Sequence, residues 1–129
     1  MRELCTAIKK ITFASLCSWI KQNENGTIDF ELKYSSRGNK KAEVYRIQEF
    51  DDNLIISDMG NTLAYLNEIF ELSEPDVIKN IHRILRHYNI SGVYNSFIYR
   101  IDPSKDAIPQ ISHFLRGIHF LYAMKLFYI

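Results

Sequence analysis

The sequence predicts an α+β fold: an N-terminal helix, a three-stranded antiparallel meander, two helices, a further strand or hairpin, and a long apolar C-terminal helix. Three observations predict it. Apolar residues recur at helical spacing at both ends of the chain and over residues 62–88. Between residues 28 and 56, three short runs alternate apolar with polar residues across brief connections. Finally, 129 residues with 47% apolar content suffice for one hydrophobic core and not for two, so residues 1–129 read as one domain.

The elements follow in order. Leu4, Ile8, Ile11, Leu16, Trp19 and Ile20 share one stripe and predict a helix from about residue 2 to residue 21, stopped by Gln22-Asn23-Glu24-Asn25-Gly26. Ile28, Phe30, Leu32 and Tyr34 alternate with Asp29, Glu31 and Lys33, the pattern of a strand with one wet face. Residues 35–41 form its turn. Residues 44–48 and 54–56 supply the second and third strands, and their short connections make an antiparallel meander. From Thr62 the period becomes helical, with Leu63, Leu66, Ile69 and Phe70 on one side, until Ser73-Glu74-Pro75. There Ser73 is placed to cap a second helix with Pro75 in its first turn and Val77, Ile78, Ile81, Ile84, Leu85 and Tyr88 as its buried stripe. Residues 90–101 read as a strand or short hairpin. The last helix runs from about Ser104 or Pro109 to Phe127. Ile111, Phe114, Leu115, Ile118, Leu121 and Tyr122 form one stripe, and Phe120, Met124, Phe127 and Tyr128 form another. A helix apolar on two sides must be covered on two sides, either as the central helix of the domain or as half core and half homodimer interface. Arg116, His119 and Lys125 interrupt it too closely for a membrane span of about 20 apolar residues.

Sixteen basic and fifteen acidic residues leave a formal charge of +1, which excludes a global field for nucleic acid or an acidic membrane. Binding of polyanions must come from local patches. Cys5 and Cys17, on one predicted helix and roughly 18 Å apart along it, cannot pair there. With no apolar signal core behind Met1-Arg2-Glu3, the expected compartment is the cytoplasm and the thiols are expected to be structural.

Few residues group in a way that chemistry would use. Asp58-Met59-Gly60-Asn61-Thr62 fits an Asp-x-Gly-x-Thr phosphate loop, but a helix follows it, so the expected role is a turn in which Gly60 takes a positive φ and Asn61 or Thr62 caps the helix. Asp29, Glu31 and Lys33 share the polar face of one strand, as in the carboxylate-x-lysine strand of metal-dependent nucleases. A further carboxylate would be needed beside them. His82, His87, His113 and His119 are not spaced for a zinc site. Two basic clusters stand out: Lys79, His82, Arg83 and Arg86 on one side of a helix, and Arg37, Lys40 and Lys41 at a hairpin tip. Either is suited to phosphate or to an acidic partner.

The run Leu54-Ile55-Ile56-Ser57-Asp58-x-Gly60-x-Thr62-Leu63-x-x-Leu66, followed by Ile84-Leu85 and by Tyr88-Asn89-Ile90, resembles an uncharacterised domain family of bacteria, phages and mobile elements. The resemblance covers roughly residues 25–126, with Met59 where many members carry a second acidic residue. It implies a small cytoplasmic protein encoded near genes of phage–host conflict, and no established activity. The order of elements also looks like that of dimeric secretion chaperones. The function expected is non-enzymatic protein binding, with inhibition of a host defence system as the implied setting. Expected binding residues are Arg37, Lys40, Lys41, Asp58, Gly60, Thr62, Lys79, Arg83, Arg86, Phe120, Met124, Phe127 and Tyr128. No catalytic residue, metal or cofactor is expected. The alternatives are a metal-dependent nuclease or other phosphate-acting enzyme using Asp29, Glu31, Lys33 or Asp58, and a nucleic-acid-binding protein using Arg37, Lys40, Lys41 and Arg83.

Overall fold

The computed structural model describes residues 17–24, 26–32, 43–50 and 53–127. Six strands, β1 (Cys17–Gln22), β2 (Ile28–Leu32), β3 (Glu43–Phe50), β4 (Asn53–Ser57), β5 (Ser91–Val93) and β6 (Ser96–Ile101), form one sheet in the order β1-β2-β3-β4-β6-β5. Every neighbouring pair is antiparallel. Helices α1 (Asn61–Ile69) and α2 (Pro75–His87) lie between β4 and β5, and α3 (Ala107–Tyr122) follows β6 and passes into a 3-10 segment, Ala123–Phe127. The fold is thus α+β, and the expected meander is its β2–β4 portion.

Side-chain alternation selects the face that is covered. Ile28 and Phe30 stand opposite Ile47 and Tyr45, Ile47 opposite Ile56, and Ile56 opposite Tyr99, so these residues share one face of the sheet. They join Leu66, Ile81, Ile111, Phe114, Ile118 and Leu121 of the helices in one buried cluster. Phe30 stacks on Tyr45 at 5.5 Å, and Tyr45 meets the edge of Phe114 at 6.2 Å. The other face carries Asp29, Arg46, Ser57 and Ile98 in a row across four strands.

Tyr94 and Asn95 close the β5–β6 hairpin with φ of 49° and 66°, a two-residue turn with both central residues left-handed. That turn matches the twist of the strands it joins. α3 approaches the chain between α2 and β5 so closely at Gly117 that an added Cβ would stand 2.8 Å from Tyr88 Cβ and 2.7 Å from Ile90 Cδ1. Gln110, itself buried, ties the start of α3 to the end of β6: its amide donates to the carbonyls of Asp102 and Asp106, and its oxygen accepts from Asp102 N at 2.7 Å.

Several expectations are corrected. The helix predicted to residue 21 does not extend there, because residues 17–22 are the edge strand β1 paired to β2; residues 1–16, with Cys5, lie outside the described residues. Trp19 and Ile20 satisfied a helical period by coincidence of a short window. The C-terminal α-helix is shorter than predicted, ending at Tyr122, and its second apolar stripe splits: Met124 is in the core, whereas Phe120 is 44% exposed. Ser73 does not cap α2; Glu74 holds that position with no side-chain bond. No helix among the described residues is long and apolar enough to cross a membrane.

Gly117→Ala is expected to destabilise the protein by about 1–3 kcal/mol through overpacking against Tyr88 and Ile90. The loss would be read as a lower urea midpoint at unchanged slope.

Candidate functional site

Asp58 sits beyond the end of β4, 1% exposed, and its carboxylate is fully engaged with main chain. Oδ1 accepts from Gly60 N at 3.0 Å and Phe97 N at 2.9 Å, and Oδ2 accepts from Thr62 N at 3.2 Å. Asp58 N donates in turn to the Phe97 carbonyl at 3.1 Å. Asn61 N closes a turn back onto the Asp58 carbonyl, with Met59 and Gly60 both at positive φ. Gly60 behaves as expected, but the cap does not: Asp58, from two residues before the N-cap, satisfies the first turn of α1 in place of Asn61 or Thr62. These hydrogen bonds of the Asp58 carboxylate thus serve the turn, α1 and β6. Thr62 is completely buried, with its hydroxyl unpaired among the described residues, so it is a core residue and not a surface contact.

The strand carboxylate Asp29 is similarly committed. Arg46, opposite Asp29 in the register, grips it with two hydrogen bonds of 2.7 and 3.0 Å, and Asn23 Nδ2 donates to Asp29 at 3.2 Å. The bond to Asp29 raises the Arg46 guanidinium above its ordinary range and keeps it charged. Asp29 lies two strands, about 10 Å, from the end of β4 where Asp58 begins, which is too far to share an ion. No group of three or more His, Cys, Asp or Glu among the described residues could hold a metal. Lys33, Arg37, Lys40, Lys41 and Tyr128 lie outside the described residues, as does the side chain of Phe127.

One polar cluster escaped the sequence reading. Glu43, at the start of β3 and 2% exposed, accepts from Tyr45 Oη at 3.2 Å and lies 3.5 Å from Nε2 of His119 on α3. The signal was present, because extending the inward alternation of Tyr45 and Ile47 back by two residues puts Glu43 inside. Burial, and then the Glu43 carboxylate, push the Tyr45 phenol well above its ordinary value of 10.0. The neutral phenol is therefore favoured in the fold. The stability this confers is complete below pH 10 and is lost as pH rises further, where the unfolded chain ionises first.

A concave surface among the described residues lies elsewhere, between α1, α2 and β5. Leu63, Leu72, Ile78, Ile81, Leu85 and Phe97 line a depression of about 360 Å³ with Gly92 and His82. It adjoins a second of about 540 Å³ that shares Leu63 and Leu72 and is bounded by Met59 and the hairpin tip, where Tyr94 is 97% exposed. On the other side, Ile78 and His82 lead to a hollow along α2 flanked by Lys79, Arg83 and Arg86. These basic residues are all exposed, and none has an acidic partner among the described residues. The structure thus places the predicted cluster of Lys79, His82, Arg83 and Arg86 on one face of α2, beside a trough with an apolar floor.

No protein-family model matches the chain, and searches of the curated proteins and of the solved structures each returned no match. The functional reading therefore rests on this geometry.

Two outcomes follow. Asp58→Ala, which strands three backbone N–H groups, is expected to cost about 2–4 kcal/mol, whereas Thr62→Val, which removes a buried unpaired hydroxyl at constant shape, should be neutral or stabilising by about 1 kcal/mol. Chemical denaturation of both variants checks this. Tyr45→Phe should flatten the fall of the urea midpoint above pH 10.

Proposed function

We propose that this chain is a non-enzymatic protein-binding module that engages its partner through the trough between α1, α2 and β5 and the basic face of α2. The observation that carries this reading is the exposed set Lys79, Arg83 and Arg86, without an acidic partner among the described residues, beside an apolar floor. Apolar area supplies affinity, while uncompensated charge at its rim supplies orientation and choice of partner. By contrast, of the carboxylates that a phosphate-acting enzyme would use, Asp29 is bound to Arg46 and Asp58 to backbone N–H groups. The mobile-element setting implied by the resemblance directs the search to bacterial host proteins, including those of defence systems.

The test is affinity capture of the tagged full chain from bacterial lysate with and without nuclease, beside a Lys79→Glu/Arg83→Glu/Arg86→Glu variant. A protein retained after nuclease by the parent and lost by the variant, at unchanged urea midpoint, is the expected result. Equal retention by both would sink the assignment of the α2 face, and loss of all captured protein on nuclease treatment would favour nucleic acid.

A further inference from the structure

The sheet ends at β5 among the described residues, and that edge forms one wall of the trough. Ser91, Gly92 and Val93 are all exposed and carry none of the lysine, proline or acidic residues that guard an edge against pairing. Val93 and Ser96 flank the two-residue turn, so they form the hydrogen-bonded pair of the hairpin, and the next pair, Gly92 with Phe97, is the non-bonded one. The N–H and C=O of Gly92 therefore point away from β6, toward open space at the edge.

We propose that β5 accepts an extended segment of a partner protein as an added strand, with an apolar residue opposite Gly92 and acidic residues two positions to either side. The proposal rests on the protein-binding reading above and adds the partner's chemistry and mode of docking. A residue paired with Gly92 exchanges two main-chain hydrogen bonds with it and projects its side chain to the same face as Phe97. That face opens on the depression of about 360 Å³ floored by Phe97, Ile81 and Leu85, which is large enough for a leucine-sized group. Gly92 has no side chain to obstruct it. Residues two positions away point to the same face, the one on which Ile78, His82 and Leu85 of α2 border the depression. There His82, and beyond it Lys79 and Arg86, follow one another around the helix at 100° per residue. The charges of Lys79 and Arg86 select carboxylates.

Charge complementarity decides between occupants. A second copy pairing edge to edge through β5 would bring the unpaired cations of two α2 helices toward each other. Nucleic acid would use the cations but neither the apolar depression nor the main-chain edge. An acidic, apolar strand uses all three, by the route of strand addition.

The probe is a short fluorescent peptide with a central leucine, threonines beside it and glutamates beyond them, titrated with the full chain and followed by anisotropy. Expected is saturable binding that weakens by about tenfold or more when the central leucine is N-methylated, since that removes the N–H facing Gly92. Replacing the glutamates by lysines, or combining Lys79→Glu with Arg86→Glu, should weaken it comparably. Gly92→Pro, which deletes the edge donor, should do the same with an unchanged urea midpoint, and the N-methylated peptide keeps the test valid should that variant fail to fold. Equal binding of the N-methylated peptide overturns strand addition. So does preferential displacement of the peptide by duplex DNA, or a dimer in sedimentation that Gly92→Pro dissolves. Failure of the peptide alongside nuclease-resistant capture of a protein by the α2 face would end this inference and leave the protein-binding reading standing.

Discussion

The structure turns on the side chain of Asp58. Its carboxylate joins three places that the chain brings together from far apart: the turn after β4, the first turn of α1, and the start of β6, thirty-nine positions away from Asp58. Two left-handed turns, at Met59-Gly60 and Tyr94-Asn95, lie side by side because of it, so close that a Cβ on Gly60 would stand 3.4 Å from the Asn95 carbonyl. Backbone N–H groups that would be orphaned at a helix start and at a strand entrance share one carboxylate acceptor. From this clasp, α1 is aimed over the sheet, β6 is fixed against β4, and the hairpin tip is set at the mouth of the trough.

Two further carboxylates of the sheet, Asp29 and Glu43, are occupied in the same manner. Asp29 has Arg46 across the ladder, and Glu43 has Tyr45 on its own strand and His119 above. On α2, Lys79, Arg83 and Arg86 have no acidic partner among the described residues, whereas Val77 and Ile81 on its inward side are buried in the core. A helix whose burial and charge are so divided presents a border between them, and the trough follows that border.

Local periodicity made much of this legible. The alternation of Ile28, Phe30, Tyr45 and Ile47, the helical stripe of α2, the positive φ of Gly60 and the shared face of Lys79, His82, Arg83 and Arg86 all depend on neighbours within a few residues, which is where periodicity carries information. What failed depended on distant partners. Residues 17–22 are a strand because β2 offers them an edge, not because their own sequence demands it. Asp58 was recognised as the centre of a turn, but its bond to Phe97 could not be read from spacing. Nor could the fate of Met124 and Phe120, one buried and one exposed, which the bend into a 3-10 segment decides. The trough itself is made by α1, α2 and β5 meeting, so the sequence showed its cations and not its floor.

The placement of β6 has a consequence for how the molecule is made. β6 comes after both α1 and α2 in the chain, yet it is inserted between β4 and β5 in the sheet. During vectorial synthesis β1–β4 emerge first, and β4, paired on one side with β3, is then the terminal strand, its other side along Leu54-Ile55-Ile56 still without a neighbour. It stays so until the ribosome has added more than forty further residues and Ile101 can reach its place opposite Leu54. Contacts so separated in sequence close slowly, and an apolar strand edge left open meanwhile is a template for unwanted pairing. The nascent chain is thus most vulnerable to aggregation in the interval between the completion of β4 and the arrival of β6, and it is in this interval that a chaperone would have the most to shield.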